Sequence, residues 1–191
     1  MSTSGTLERT PATGRSAEPI VAWRSWSLGG SPDADDLLLR PVSARGRAWR
    51  PREVAEASCA RHRSHRAPEL DCLCGLHASP TFDVLRRTRC PAVLGRVALW
   101  GRVIEHERGY RARFGYPQRL RLICQFCFWQ HAELTDEPAW VGWYRGDRLV
   151  PFCDGHLAIA GAIGLGPVRT LDAHDVDQRL RDAYAVDPLG V

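Results

Sequence analysis

The 191-residue sequence predicts an α+β fold weighted toward strands: a β-rich small domain built as a compact antiparallel sheet or barrel, then a small Cys/His metal module, then a C-terminal helix. Three observations predict it. Residues 21–49 and 119–123 read as strands, and apolar residues alternate with period two over 93–104 and 110–116, punctuated by Gly, Pro and Asp turn signals. Cysteine and histidine are concentrated in two short stretches. Helical spacing is sustained only near the C-terminus.

The elements follow in order. Residues 1–19 are rich in Ser, Thr, Gly and Pro and read as a disordered tail without the continuous apolar run of a secretory signal. Residues 21–49 are strand-like around Trp23, Trp26, Leu37-Leu38-Leu39 and Trp49, with a turn at Gly29-Gly30-Ser31-Pro32-Asp33. Ser79, Pro80 and Asp83 are the start signals of a short helix through Arg87. Residues 93–104 put Val97, Leu99 and Val103 on one face of a strand and Trp100 and Ile104 on the other. Tyr110, Ala112, Phe114 and Tyr116 continue the alternation beyond a hairpin turn at His106-Glu107-Arg108-Gly109, and residues 119–123 form a further strand. Residues 140–144 and 148–152 flank Gly146-Asp147 as a second hairpin. A short, glycine-limited helix follows Asp154, and Thr170 is expected to cap a last helix carrying Leu171, Val176, Leu180 and Tyr184 on one face. The implied units are residues 1–19 (tail), 20–121 (basic β-rich domain with a Cys/His loop), 122–168 (metal module) and 169–191 (helix and tail).

Composition narrows the chemistry. All 26 basic residues are Arg and Lys is absent, which a GC-rich coding sequence explains, and which excludes Schiff-base chemistry, a phosphate-loop lysine and a protein-kinase lysine. The charge is unevenly placed. Residues 40–121 hold 18 Arg against 7 acids, whereas residues 122–191 hold 5 Arg against 10 acids, so a formal net charge of +4 hides a basic middle and an acidic end. The longest uncharged stretch, residues 155–168, is too short and too rich in glycine to span a membrane. A cytoplasmic protein is expected. There, seven cysteines point to metal or redox chemistry rather than to a disulfide framework.

Cys124-Gln125-Phe126-Cys127 and Cys153-Asp154-Gly155-His156 are two half-sites of metal-ligand spacing, separated by the predicted second hairpin. Two thiolates of a knuckle reach one ion from the same side, and residues three apart in a first helical turn share a face. Cys3His fills a tetrahedral zinc shell and leaves no position for a substrate water, so the site reads as structural. Iron is the competing ion; the histidine favours zinc. Knuckle, hairpin and ligand-bearing helix together resemble the treble-clef zinc folds over about 45 residues. That resemblance implies a fold and a metal, in a group that serves nucleic-acid binding, protein binding and catalysis.

The second cluster holds Cys59, His62, His65, Cys72, Cys74 and His77, more donors than one tetrahedral ion uses. Residues two apart on an extended strand point to opposite faces, so Cys72 and Cys74 require a turn, which Gly75 favours. Cys59, Cys72 and Cys74 are expected to bind a second structural zinc with one histidine. His65 is preferred because Ala67-Pro68 provides a rigid exit, and His62, with the more familiar spacing from Cys59, is the alternative. Cys90 is expected to be a core thiol, and His131 and His174 surface or capping residues.

Residues 59–75, with His65-Arg66-Ala67-Pro68 and Cys72-Leu73-Cys74-Gly75, and residues 101–112, from Gly101 to Ala112, resemble segments of small Cys/His-rich proteins of GC-rich actinobacteria. The resemblance spans residues 45–120, supports His65 as a ligand, and marks Glu105, His106, Tyr110 and Arg111 as a structural corner or a binding site. It implies no particular activity.

Three functions are weighed. The first is a non-enzymatic structural-zinc protein that binds nucleic acid, or acts as a regulatory module, through its Arg-rich middle, where arginines interleave with Trp49, Trp100, Tyr110, Phe114 and Tyr116. The second is a protein-interaction adaptor with the zinc modules as platforms. The third is an enzyme using Glu105 and His106; the spacing is poor for it, because on a strand Glu105 and Glu107 face away from His106.

Overall fold

The computed structural model describes residues 13–33, 36–42, 46–62, 65–130 and 137–190. In chain order these form β1 (Thr13–Gly29), β2 (Leu38–Pro41), β3 (Ala55–Glu56), β4 (Leu76–Ala78), a 3-10 turn (Asp83–Arg87), β5 (Val93–His106), β6 (Gly109–Leu122), α1 (Gln125–Gln130), β7 (Trp140–Tyr144), β8 (Arg148–Phe152), α2 (Asp154–Ala162), β9 (Arg169–Asp172), α3 (Ala173–Tyr184) and β10 (Asp187–Pro188).

A ten-stranded sheet in the order β10-β6-β5-β1-β8-β7-β9 carries the fold, with β2 added to β1, and β3 and β4 to β6. The protein is β-rich, and the sheet curls into an open half-barrel rather than closing. The long β5–β6 hairpin bends where its register slips. One slip separates Arg96 from Val97, opposite Pro117, whose missing N–H suits a bulge. Residues 119–122 therefore continue β6 and do not start a new strand.

β1 begins at Thr13, inside the segment read as a tail, because Thr13 to Ser16 pair with Ile104 to Gly101 before the register shifts at Ile20. Residues 1–12 lie outside the described residues. The sheet also runs across the expected boundaries after residues 121 and 168: β8 pairs with β1, and β9 pairs with β7. A common core explains this. Trp26, Leu39, Trp49, Leu99 and Leu120 pack in one cluster with Val141, Leu149, Val176 and Leu180.

Helix α3 buries Ala173, Val176, Leu180 and Tyr184, one stripe at helical spacing. Its cap is Asp172, whose carboxylate accepts the Asp175 N–H at 3.1 Å, while Thr170 and Leu171 belong to β9. Thr170 is thus not the cap, because β7 claims it as a strand partner. Tyr184 is fully buried, and its hydroxyl accepts the Leu39 N–H at 2.9 Å and donates to the Trp49 carbonyl. Burial raises its pKa. One phenol therefore ties the last helix to the first strands.

Gly109 opens β6 at φ +137°, and a Cβ there would fall 2.1 Å from the Ala78 carbonyl oxygen. Only glycine lets β4 approach the hairpin tip this closely. Cys90 is exposed rather than in the core, on a left-handed turn with φ 49° between the 3-10 helix and β5.

Replacing Tyr184 by Phe leaves the Leu39 N–H and the Trp49 carbonyl buried without a partner. The expected loss is about 2 kcal/mol, read as a lower urea midpoint at unchanged slope; an unchanged midpoint would show that this hydroxyl does not hold the helix.

Candidate metal centres

Three elements deliver the first donor set. Cys124 lies just past the end of β6 and immediately before α1, Cys127 lies in α1, and Cys153 and His156 occupy the N-cap and first turn of α2. The knuckle folds as a short helix, with the Phe128 N–H donating to the Cys124 carbonyl at 2.9 Å, and this turns both sulfurs the same way. Hairpin β7–β8 brings Cys153 back, and the Leu157 N–H bonds the Cys153 carbonyl at 3.0 Å.

His156 Nδ1 lies 3.6, 3.4 and 3.1 Å from the sulfurs of Cys124, Cys127 and Cys153, and the Cys127 and Cys153 sulfurs are 3.6 Å apart. With Zn–S near 2.3 Å and Zn–N near 2.0 Å, a tetrahedron has edges of about 3.8 Å (S–S) and about 3.5 Å (S–N). The donors therefore stand at the corners that such an ion needs. A disulfide would require about 2.05 Å, and every cysteine is free. Phe126 stacks on the His156 ring at 5.0 Å and on Phe152 at 6.3 Å, holding the imidazole in orientation. Sequence reading passed over this aromatic, although its place between the two knuckle cysteines was its signal.

The second set is Cys59, His65, Cys72 and Cys74, whose donor atoms all lie within 4.8 Å of one another. Cys59 and Cys72 sulfurs are 3.7 Å apart, and His65 Nε2 is 3.3 Å from the Cys74 sulfur. His62 stands outside the set; its backbone N–H donates to the Cys59 sulfur at 3.2 Å, and its ring lies 5.8 Å from that of His65. His77 is occupied elsewhere, its Nε2 2.9 Å from the Leu73 carbonyl oxygen. The turn required at Cys72-Leu73-Cys74 exists. With both sulfurs turned inward, Leu73 projects into solvent at 77% exposure.

Arg111 holds this loop to the sheet. Buried on β6, its Nη1 donates to the carbonyls of Glu69 at 3.1 Å, Cys74 at 3.4 Å, and Cys72. Glu69 in turn forms a two-pronged pair with Arg102 at 2.9 Å for each oxygen. Gly75, at φ +131°, has its would-be Cβ 3.0 Å from Arg111 Cβ and 3.1 Å from Pro68 Cβ, so a side chain there would displace the brace.

The segments 59–75 and 101–112 thus meet at one end of the molecule, joined by Arg102–Glu69, Arg111 and the β4–β6 pairing. The four residues marked in the second segment do not converge on one point. Glu105 and His106 are exposed at the hairpin tip, Tyr110 packs on the core, and Arg111 turns into the loop. His174 is exposed on α3, and His131 lies outside the described residues.

Burial, and then the neighbouring thiols, push Cys127 far above the usual thiol range; Cys74 is pushed up to about 11, chiefly by burial. Hydrogen bonding by the His62 N–H instead lowers Cys59. Three thiolates packed together repel one another, and a divalent cation reverses that penalty. Both sets fit a soft tetrahedral ion, and each supplies four protein donors. No helix among the described residues is long and apolar enough to cross a membrane. Comparison with protein families, curated proteins and solved structures finds no match to the chain.

Arg111→Met keeps the bulk and removes the guanidinium. It should weaken metal binding at the Cys59 set by about 10- to 100-fold, the usual effect of losing an outer-shell partner, while the Cys124 set is unchanged. Chelator competition on the full chain reads the two sites separately; equal loss at both would show a global effect instead.

Proposed function

We propose that this is a non-enzymatic protein with two structural zinc ions, the Cys124 set forming a treble-clef-like module, that binds nucleic acid through its Arg-rich middle. Structural zinc is the expected chemistry of closed Cys3His sets, and in small peptides such an ion supplies on the order of 10–16 kcal/mol of folding free energy. A cytoplasmic setting, with its reduced thiols, suits this chemistry.

The observation that carries the nucleic-acid reading is how arginines divide between those paired within the fold and those exposed around the Cys59 loop. Arg40, Arg86, Arg102, Arg113 and Arg121 are drawn to Asp147, Asp83, Glu69, Glu56 and Glu137, and Arg111 to loop carbonyls. Arg61 and Arg66 on the Cys59 loop, Arg108 on the adjoining hairpin tip, and Arg47 and Arg50 on the preceding connection remain exposed. A loop fixed by a metal presents its cations at little cost in ordering, and guanidinium binds phosphate in two places.

Hydrophobic exposure favours the adaptor as a second reading. Ile159, Ile163, Leu165 and Val168 are 56–65% exposed along α2 and the segment after it, an apolar patch of the kind that marks protein contacts. Pull-down with intact and chelator-treated chain tests it, with Ile163→Asp as the disrupting variant.

For the nucleic-acid reading, affinity for generic DNA and RNA should fall linearly in log–log form with salt. Arg61→Ala combined with Arg66→Ala should reduce the slope by about 2. Absence of binding at low salt, or affinity indifferent to salt, rejects it.

A further inference from the structure

The two metal centres differ in how far their sulfurs are open to solvent. In the Cys124 set two of the three sulfurs, Cys124 and Cys127, are 1% and 7% exposed beside Phe126, and only Cys153 is half-buried. All four ligands of the other set are half-buried, and they sit on a loop between β3 and β4 whose described residues form no regular secondary structure. Cys59 and Cys72 sulfurs face each other at 3.7 Å, the former near the start of that loop and the latter near its end. They are the pair that a small oxidant reaches and that can then join.

We propose that Cys59 and Cys72 form a peroxide-oxidised thiol pair whose disulfide expels the metal from this centre and leaves the Cys124 centre intact. This rests on the reading of both sets as metal centres. One thiolate sulfur attacks hydrogen peroxide; the O–O bond breaks, a sulfenic acid forms, and the departing hydroxide takes a proton to become water. The second thiolate attacks the sulfenic sulfur; the S–O bond breaks, the S–S bond forms, and a second proton converts the leaving hydroxide to water. Each event consumes one peroxide and two protons, removes two electrons from the sulfurs, and yields two waters. Cys74 and His65 alone then remain of the four donors, too few to hold the ion.

The loop geometry supplies the consequence. The carbonyls of Glu69, Cys72 and Cys74 all rest on Arg111, and the loop carries the exposed Arg61 and Arg66. Oxidation thus acts on the segment that bears cations, while the core around Trp26 and Tyr184, lined by no sulfur, is untouched. Cys90 is exposed and belongs to neither set, so it is a competing target that must be removed from the measurement.

The experiment uses the full chain with Cys90→Ser, purified with zinc. Metal analysis before oxidation tests the metal reading on its own: two zinc per chain are expected, and a count below two overturns that reading together with this one. Graded hydrogen peroxide is then added while zinc release is followed with a chromophoric chelator, and disulfides are mapped by peptide mass. The expected result is release of one of the two zinc ions, a Cys59–Cys72 disulfide, and recovery of two zinc after dithiothreitol and added zinc. Two zinc retained under peroxide, simultaneous release of both, or release accompanied by a Cys127–Cys153 or Cys72–Cys74 bond would overturn the proposal while leaving the metal reading standing.

Discussion

Three sulfurs and an imidazole nitrogen held within a few ångströms of one another form an arrangement that a protein without a cation does not favour. Each thiolate repels the next, and burial opposes ionisation of all of them. In both centres the main chain nonetheless converges the donors, through a helical knuckle and a helix N-terminus in one and a tight turn before Gly75 in the other. The segments involved have little other reason to adopt these courses. The described residues of the Cys59–Cys74 loop have almost no regular structure, and α2, 9 residues long, buries only Ala160. A bound cation would add to the Arg111 brace in fixing the loop, and would tie α2 to the knuckle.

The sheet supplies the frame against which those segments are fixed. β6 serves both centres: Arg111 near its start grips the carbonyls of the loop, and its end leads through Ile123 to Cys124. Curling of the β5–β6 hairpin, through bulges opposite Pro117 and next to Gly101, encloses the core that α3 covers. Tyr184 closes this arrangement by bonding backbone groups of residues 39 and 49, so stability of the N-terminal strands depends on the last helix. Chain order and spatial order differ here, and the terminal helix is a lid on the common core.

Charge has two uses in this molecule. Arginines facing acids, carbonyls or aromatic rings are structural: Arg96 lies over Trp23 at 4.8 Å and Arg24 over Trp49 at 4.7 Å, each covering indole with its planar cation. Others, such as Arg61, Arg66 and Arg108, stay at the surface near the Cys59 donor set. A lysine-free composition reaches both ends with one residue type, because guanidinium packs flat on rings and forks onto carboxylates as an ammonium does not.

Local signals were enough for the sequence to show the strand-rich character, both hairpin turns, the Val176, Leu180 and Tyr184 stripe, and the two donor groups. Period-two alternation, Gly-Asp turns and short Cys/His spacings are properties of neighbouring residues, and backbone geometry converts them directly into structure. Tertiary contacts decided the remainder. That Thr13 to Ser16 join the sheet depends on β5 as a partner, that His65 rather than His62 stands among the three sulfurs depends on the path of the loop over β6, and that Arg111 braces carbonyls depends on contacts 37 to 42 residues apart in the chain. Long-range partners leave no local periodicity, so these features exist only once the sheet has brought distant segments together.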